Sequence, residues 1–178
     1  MRIALTAAVG LAITASPAAA ALRLYSYDPA DAETRSAAGP LTFEFKAGLF
    51  RTTMISLRAT EAQATAYLKP VGEKDLGPVG LTALIGAAPE RDLYEVRSDH
   101  DGPALIAAFC PGATRAWAAF GTPRPNRSLR VFVLGPPAAG GAAHVCRTLN
   151  FTFHGAWQVP PTEKIPPRLA PESPFRRY

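Results

Sequence analysis

Apolar side chains recur at every second position through most of this chain, a period that suits β-strands with one face turned to a core. Leu41, Phe43 and Phe45 alternate with Thr42, Glu44 and Lys46, Gly48 breaks the run, and Thr53, Ile55, Leu57 and Ala59 resume it, as in a hairpin. Ala64, Ala66 and Leu68 continue the meander as far as Pro70. Tyr94 and Val96 alternate with Glu95 and Arg97, and then come Leu129, Val131 and Val133, and finally Leu149, Phe151 and Phe153. Strands at such intervals, cut by glycine and proline, predict an all-β fold: an antiparallel, jelly-roll-like β-sandwich. Residues 73–86 differ, because Leu76, Val79, Leu81, Leu84 and Ile85 fall at spacings of three and four. They predict one short helix capping the sandwich, with Pro78 and Gly80 working against it.

The two ends are built differently. Arg2 followed by the apolar residues 3–13 and by Ala18-Ala19-Ala20 reads as a signal peptide over residues 1–20, since the run is about half the roughly 20 residues a spanning helix needs. The sandwich domain then occupies residues 21–158. Beyond it, residues 159–178 carry Pro160, Pro161, Pro166, Pro167, Pro171 and Pro174, which suit an extended linker and no helix or central strand. Without Arg2, 18 of the 19 basic residues face 14 acidic ones. They are scattered and not interleaved with aromatics, so nucleic acid is not an expected partner.

An exported chain agrees with two further features. Cys110 and Cys146 are the only cysteines, and one disulfide between them closes a loop that stabilises the fold by about 4 kcal/mol in the chain-entropy picture. His144 is the histidine nearest Cys146, but a zinc site calls for four grouped ligands, so no metal and no cofactor is expected. Both asparagines, Asn126 and Asn150, begin Asn-x-Ser/Thr triplets and are candidate glycosylation sites. With Leu149, Phe151 and Phe153 facing the core, Asn150, Thr152 and His154 should face solvent, while Asn126 belongs to a proline-rich loop. Both sites are therefore geometrically reachable.

Residues that carry chemistry are few. In Ser98-Asp99-His100-Asp101-Gly102 a histidine lies between carboxylates, an arrangement used for acid/base work or metal binding. Neighbouring side chains on an extended strand point to opposite faces, however, and Asp-Gly is ordinary turn chemistry. No nucleophile elbow, paired metal-binding histidines or phosphate loop is present, so the expectation is a protein that is not an enzyme. A secreted enzyme using residues 98–101 is the least favoured reading.

The order of elements resembles the luminal domain of subunit ten of the endoplasmic reticulum membrane protein complex. The resemblance is carried by the hairpin over residues 41–59, by Leu93-Tyr94-Glu95-Val96-Arg97, by Ala107-Ala108-Phe109-Cys110, by the strand over residues 129–134, and by the glycine-rich turn before Cys146. Leu149-Asn150-Phe151-Thr152 and Val159-Pro160-Pro161 complete it. It implies a luminal, glycosylated, non-catalytic accessory subunit that supports insertion of client transmembrane segments. Its implied partners are the luminal parts of subunits one and seven, and it implies glycosylation at Asn150. Family members go on to a transmembrane helix, whereas this chain ends at Tyr178, as a soluble form or a fragment ending at the membrane border. The alternative is a bacterial periplasmic binding module for a carbohydrate, lipid or envelope partner, for which signal peptide and disulfide are equally suited.

Overall fold

In the computed structural model, residues 22–47, 52–89, 91–137 and 141–159 are described. The expected signal peptide over residues 1–20, Gly48, Gly140 and the proline-rich tail from Pro160 lie outside them. Eight strands follow one another: β1 (Leu22–Pro29), β2 (Leu41–Ala47), β3 (Thr52–Ala59), β4 (Ala64–Pro70), β5 (Asp92–Val96), β6 (Trp117–Phe120), β7 (Leu129–Gly135) and β8 (His144–Val159). Each pairs antiparallel with the next, and β8 returns to pair with β1 from Leu22↔Val159 to Pro29↔Phe151. The result is a closed up-and-down barrel. The sandwich expected from the alternation is therefore incorrect: a sandwich keeps two separate sheets, whereas the β1–β8 ladder joins the first and last strands into one closed sheet.

Three bulges shape this wall, each leaving one residue without an opposite number. They fall at Ile55 between β2 and β3, Cys146 between β7 and β8, and His154 between β1 and β8. A bulge bends its strand and re-aims a side chain. This is why Ile55 departs from the alternation that puts Leu57 and Ala59 in the core.

The barrel interior is filled by side chains. Tyr27, Leu41, Phe43, Leu57, Ala66, Val96, Phe120, Val131, Val133, Leu149 and Phe151 form one buried cluster. Tyr27 meets Phe43 edge-on at 5.8 Å and Phe153 at 5.6 Å, and Phe120 stacks on Tyr94 at 4.9 Å. Each such aromatic contributes roughly 1.5–3 kcal/mol by leaving water. Two helices complete this core. Helix α1 (Ala32–Ala37) begins at Asp31, whose Oδ1 accepts from the Thr34 amide at 2.7 Å, and ends where Gly39 takes a φ of +61°. Helix α3 (Gly102–Phe109) sends Leu105, Ile106 and Phe109 into the same cluster.

The single capping helix expected over residues 73–86 is also corrected. A 3-10 turn (Glu73–Leu76) and α2 (Leu81–Ile85) are separated by Gly77-Pro78-Val79-Gly80, where proline and the two glycines stop any continuous helix. Glu73 Oε2 starts α2 by accepting from the Leu81 amide at 3.0 Å. The pair covers the outside of β5–β7, where Leu76 and Leu81 pack on Leu93, Trp117, Ala119 and Leu134. That layer buries β6 on both faces, so Trp117-Ala118-Ala119-Phe120 shows no alternation.

Three titrating groups link the fold to pH, and burial raises the Tyr94 phenol as it does that of Tyr27. The Tyr27 hydroxyl donates to the Arg124 carbonyl at 3.1 Å, and burial raises its pKa from 10.0 to about 12. A phenol with a raised folded pKa contributes stability that is complete below pH 10 and is lost as pH climbs through about 12. Tyr27→Phe should remove that alkaline loss from a plot of urea midpoint against pH; an unchanged alkaline limb would contradict the assignment. At Asp31 the bonds from the Thr34 amide and then from Asn150 hold the carboxyl below its usual value. Its contribution is present above the ordinary carboxylate pKa and fades as pH falls through the lower folded one.

Candidate functional site

The long strand β8 carries the two surface constellations that ordinary core packing does not explain, each beside one of its bulges. At the first, Cys110, which ends α3, forms a disulfide with the bulged Cys146, with a Cα–Cα distance of 5.2 Å. The bridge expected from the cysteine count is present. Cys110 is 3% exposed and Cys146 half-buried, while His144 is exposed with its Nε2 3.6 Å from Cys146 Sγ. Opposite His144 on β7 stands Gly135. A Cβ there would lie 2.7 Å from Cys146 Sγ and 2.8 Å from both Cys110 Sγ and His144 Cε1, so only glycine leaves the space on which the three side chains converge. A fissure of about 270 Å³, lined by Cys110, Pro111, Gly112, Pro136, Pro137 and His144, opens beside it.

The second constellation is on the outer wall near the other end of β8. Residues directly opposite on antiparallel strands share a face, so Trp157 stands beside Leu24, Val159 beside Leu22 and Gly155 beside Ser26. Trp157 is 47% exposed. Its ring lies across Gly155, where a Cβ would approach it to 2.8 Å, and stacks on His154 at 5.9 Å. The bulged His154 is held in turn by Asp28, with Nδ1 2.7 Å from Oδ2. Alongside runs an open groove of about 710 Å³ lined by Leu24, Ser26, Thr42, Arg58, Thr60 and Gln63. The wall thus joins a small apolar patch to a strip of hydroxyl, guanidinium and amide groups.

The residues picked out in the sequence are distributed as follows. Leu149 and Phe151 are buried, and Thr152 and His154 are exposed, as expected. Asn150 is half-buried instead of facing open solvent: its Nδ2, the atom a glycan attaches to, donates to Asp31 Oδ2 at 3.1 Å, and its amide donates to Thr34 Oγ1 at 2.9 Å. The reason is α1, which folds back over β8. Asn126 is exposed in a turn with φ of 58°. His100, at φ 51°, meets Tyr67 edge-on at 5.7 Å. Asp99 pairs with Arg97 at 2.8 Å, and Asp101 begins α3. The structure therefore does not bring Asp99, His100 and Asp101 together as an acid/base set. Asp28, Gly135, Trp157 and Arg58 were missed, because what joins them is strand register and not spacing along the chain.

Comparison with protein families, with curated proteins and with solved structures finds no match to this chain. The geometry of the two constellations is what a functional reading rests on.

Proposed function

We propose that this protein is an exported, non-catalytic binding module that docks a protein partner on the outer wall of β8 and β1. The observation that carries the reading is the set of outward neighbours Leu22, Leu24, Trp157 and Val159 beside Arg58 and the polar groove. A tryptophan anchor, an arginine and a polar rim are the usual anatomy of an interface centre. The filled interior supports this, because a barrel packed with Phe43, Phe120 and Phe151 has no lumen for a ligand. Closure of the barrel also favours docking through side chains on a face, since the first and last strands already pair with each other.

The accessory subunit of the endoplasmic reticulum complex is one protein that would act in this way, and the sequence resemblance is what supports it. A pull-down of the tagged chain from detergent-solubilised membranes tests it. Co-recovery of complex subunits, reduced roughly tenfold or more by Trp157→Ala, is expected. Recovery of the chain alone removes the subunit reading.

The groove favours a second reading, a bacterial module binding a saccharide. Ser26, Thr42, Thr60, Gln63 and Arg58 offer hydrogen bonds suited to sugar hydroxyls beside an exposed indole face. Retardation in gels containing envelope polysaccharides, relieved by Trp157→Ala and by Arg58→Ala, is the expected result. Equal mobility of wild type and both variants in every gel would dismiss it.

A further inference from the structure

The bridge accounts for the glycine at 135, since a Cβ there would meet both of its sulfurs, but a stabilising disulfide has no need of the imidazole that converges on the same space. We propose that when the Cys110–Cys146 bridge is reduced, Cys110, His144 and Cys146 hold a thiophilic d10 cation, Zn(II) or Cu(I), with its open side toward the fissure.

Thiolate and imidazole are the ligands such cations select. Zinc lies about 2.3 Å from a thiolate sulfur and about 2.0–2.1 Å from an imidazole nitrogen, so at tetrahedral angles the two donors stand about 3.6 Å apart. His144 Nε2 and Cys146 Sγ are already 3.6 Å apart. The donor atoms of all three residues lie within 4.8 Å of one another. Opening the bridge lets the two sulfurs move to the roughly 3.8 Å that two thiolates on one tetrahedral zinc require. Backbone shift is hardly needed, because the bulge at Cys146 and the end of α3 at Cys110 already aim both side chains at Gly135. The fissure lined by Pro111, Pro136 and Pro137 leaves room for a water or a small donor as fourth ligand on zinc. Copper(I) is satisfied by three.

The switch balances chemically. A dithiol reductant gives up two electrons and two protons and leaves as its own disulfide, and the bridge becomes two thiols. The cation then displaces both thiol protons, so binding strengthens as pH rises. Oxidised and loaded forms exclude each other, because a sulfur committed to the bridge is not a thiolate.

The test is an anaerobic titration of the intact protein, reduced with dithiothreitol and freed of it by gel filtration. Co(II) serves as the optical probe for zinc, Zn(II) as its competitor, and Cu(I) is added in a separate arm against a chromophoric chelator. Near-ultraviolet circular dichroism follows the fold. One equivalent of Co(II) should bind the reduced chain with a thiolate charge-transfer band, and none should bind the oxidised chain. His144→Ala should weaken binding by more than about tenfold, with the bridge still able to form. Displacement of Co(II) by Zn(II) and capture of Cu(I) from the chelator tell which cation the site prefers. Affinity in the reduced wild type no greater than in Cys110→Ser/Cys146→Ser, or unchanged in His144→Ala, would overturn the proposal. So would a reduced chain that unfolds and does not regain its near-ultraviolet signal on adding metal.

Discussion

Phe109→Ala should lower the free energy of unfolding by about 3–5 kcal/mol, the cost of an aromatic truncation in a site that cannot collapse. Phe109 is fully buried at the end of α3 and belongs to the same cluster as Tyr27, Phe43, Val96 and Phe151. The surrounding wall is a closed ladder of eight strands, which cannot move inward to fill the gap without breaking register. A domain of this size holds about 5–15 kcal/mol in total, so the loss is a large share and the thermal midpoint should fall by roughly 6–20 °C. Urea melts followed by fluorescence and circular dichroism measure it. A loss under about 1 kcal/mol would show that α3 is not part of the cooperative core. Trp157→Ala, on the exposed wall, is the control and should cost under about 1 kcal/mol.

Replacing both cysteines by serine should cost about 4 kcal/mol, since the bridge closes a separation of 36 residues between α3 and β8. The loss should appear as a lower denaturant midpoint in the variant and, in wild type, only after reduction. Serine is nearly isosteric, so the effect reports the missing cross-link more than a change in packing. Equal midpoints for oxidised and reduced wild type would refute it. The two predictions meet at neighbouring residues, Phe109 and Cys110, and contacts this close need not be additive; a triple variant measures the coupling.

Much of the core was legible in the sequence. Leu41, Phe43, Phe45, Leu57, Ala59, Val96, Leu129, Val131, Val133, Leu149 and Phe151 were read from alternation alone and are all buried, because a strand with one wet face must alternate. Three failures have separate physical causes. β6 carries apolar residues on both faces because the 3-10 turn and α2 cover its outside, so period two vanishes. Ile55 breaks the pattern at a bulge, which no local signal marks. α3 was overlooked because its eight residues are apolar or glycine and proline, with no polar face to show a helical period.

The candidate sites follow the same division. A pair of cysteines in a chain of this kind already implied a bridge, and the bridge is there. The gap at Gly135 beside it, and the meeting of Leu24 with Trp157, depend on which residues the β7–β8 and β1–β8 ladders set opposite each other. Asn150 illustrates the difference within one residue: period two placed it on the outer face, and the pairing of β8 with the start of α1 then engaged its side-chain Nδ2 with Asp31.

Local chemistry along the chain was thus enough to determine that the molecule is built of antiparallel strands, which side chains of the alternating strands turn inward, and that its two cysteines are joined. Whether those strands part into two sheets or close into one barrel was decided only in three dimensions. Closure depends on β1 pairing with β8, residues more than a hundred positions apart, and periodicity is the same for an open sheet and a closed one. The same long-range register, shifted by one residue at each bulge, assembled the sulfur and imidazole donors at one end of β8 and the exposed indole with its polar groove at the other.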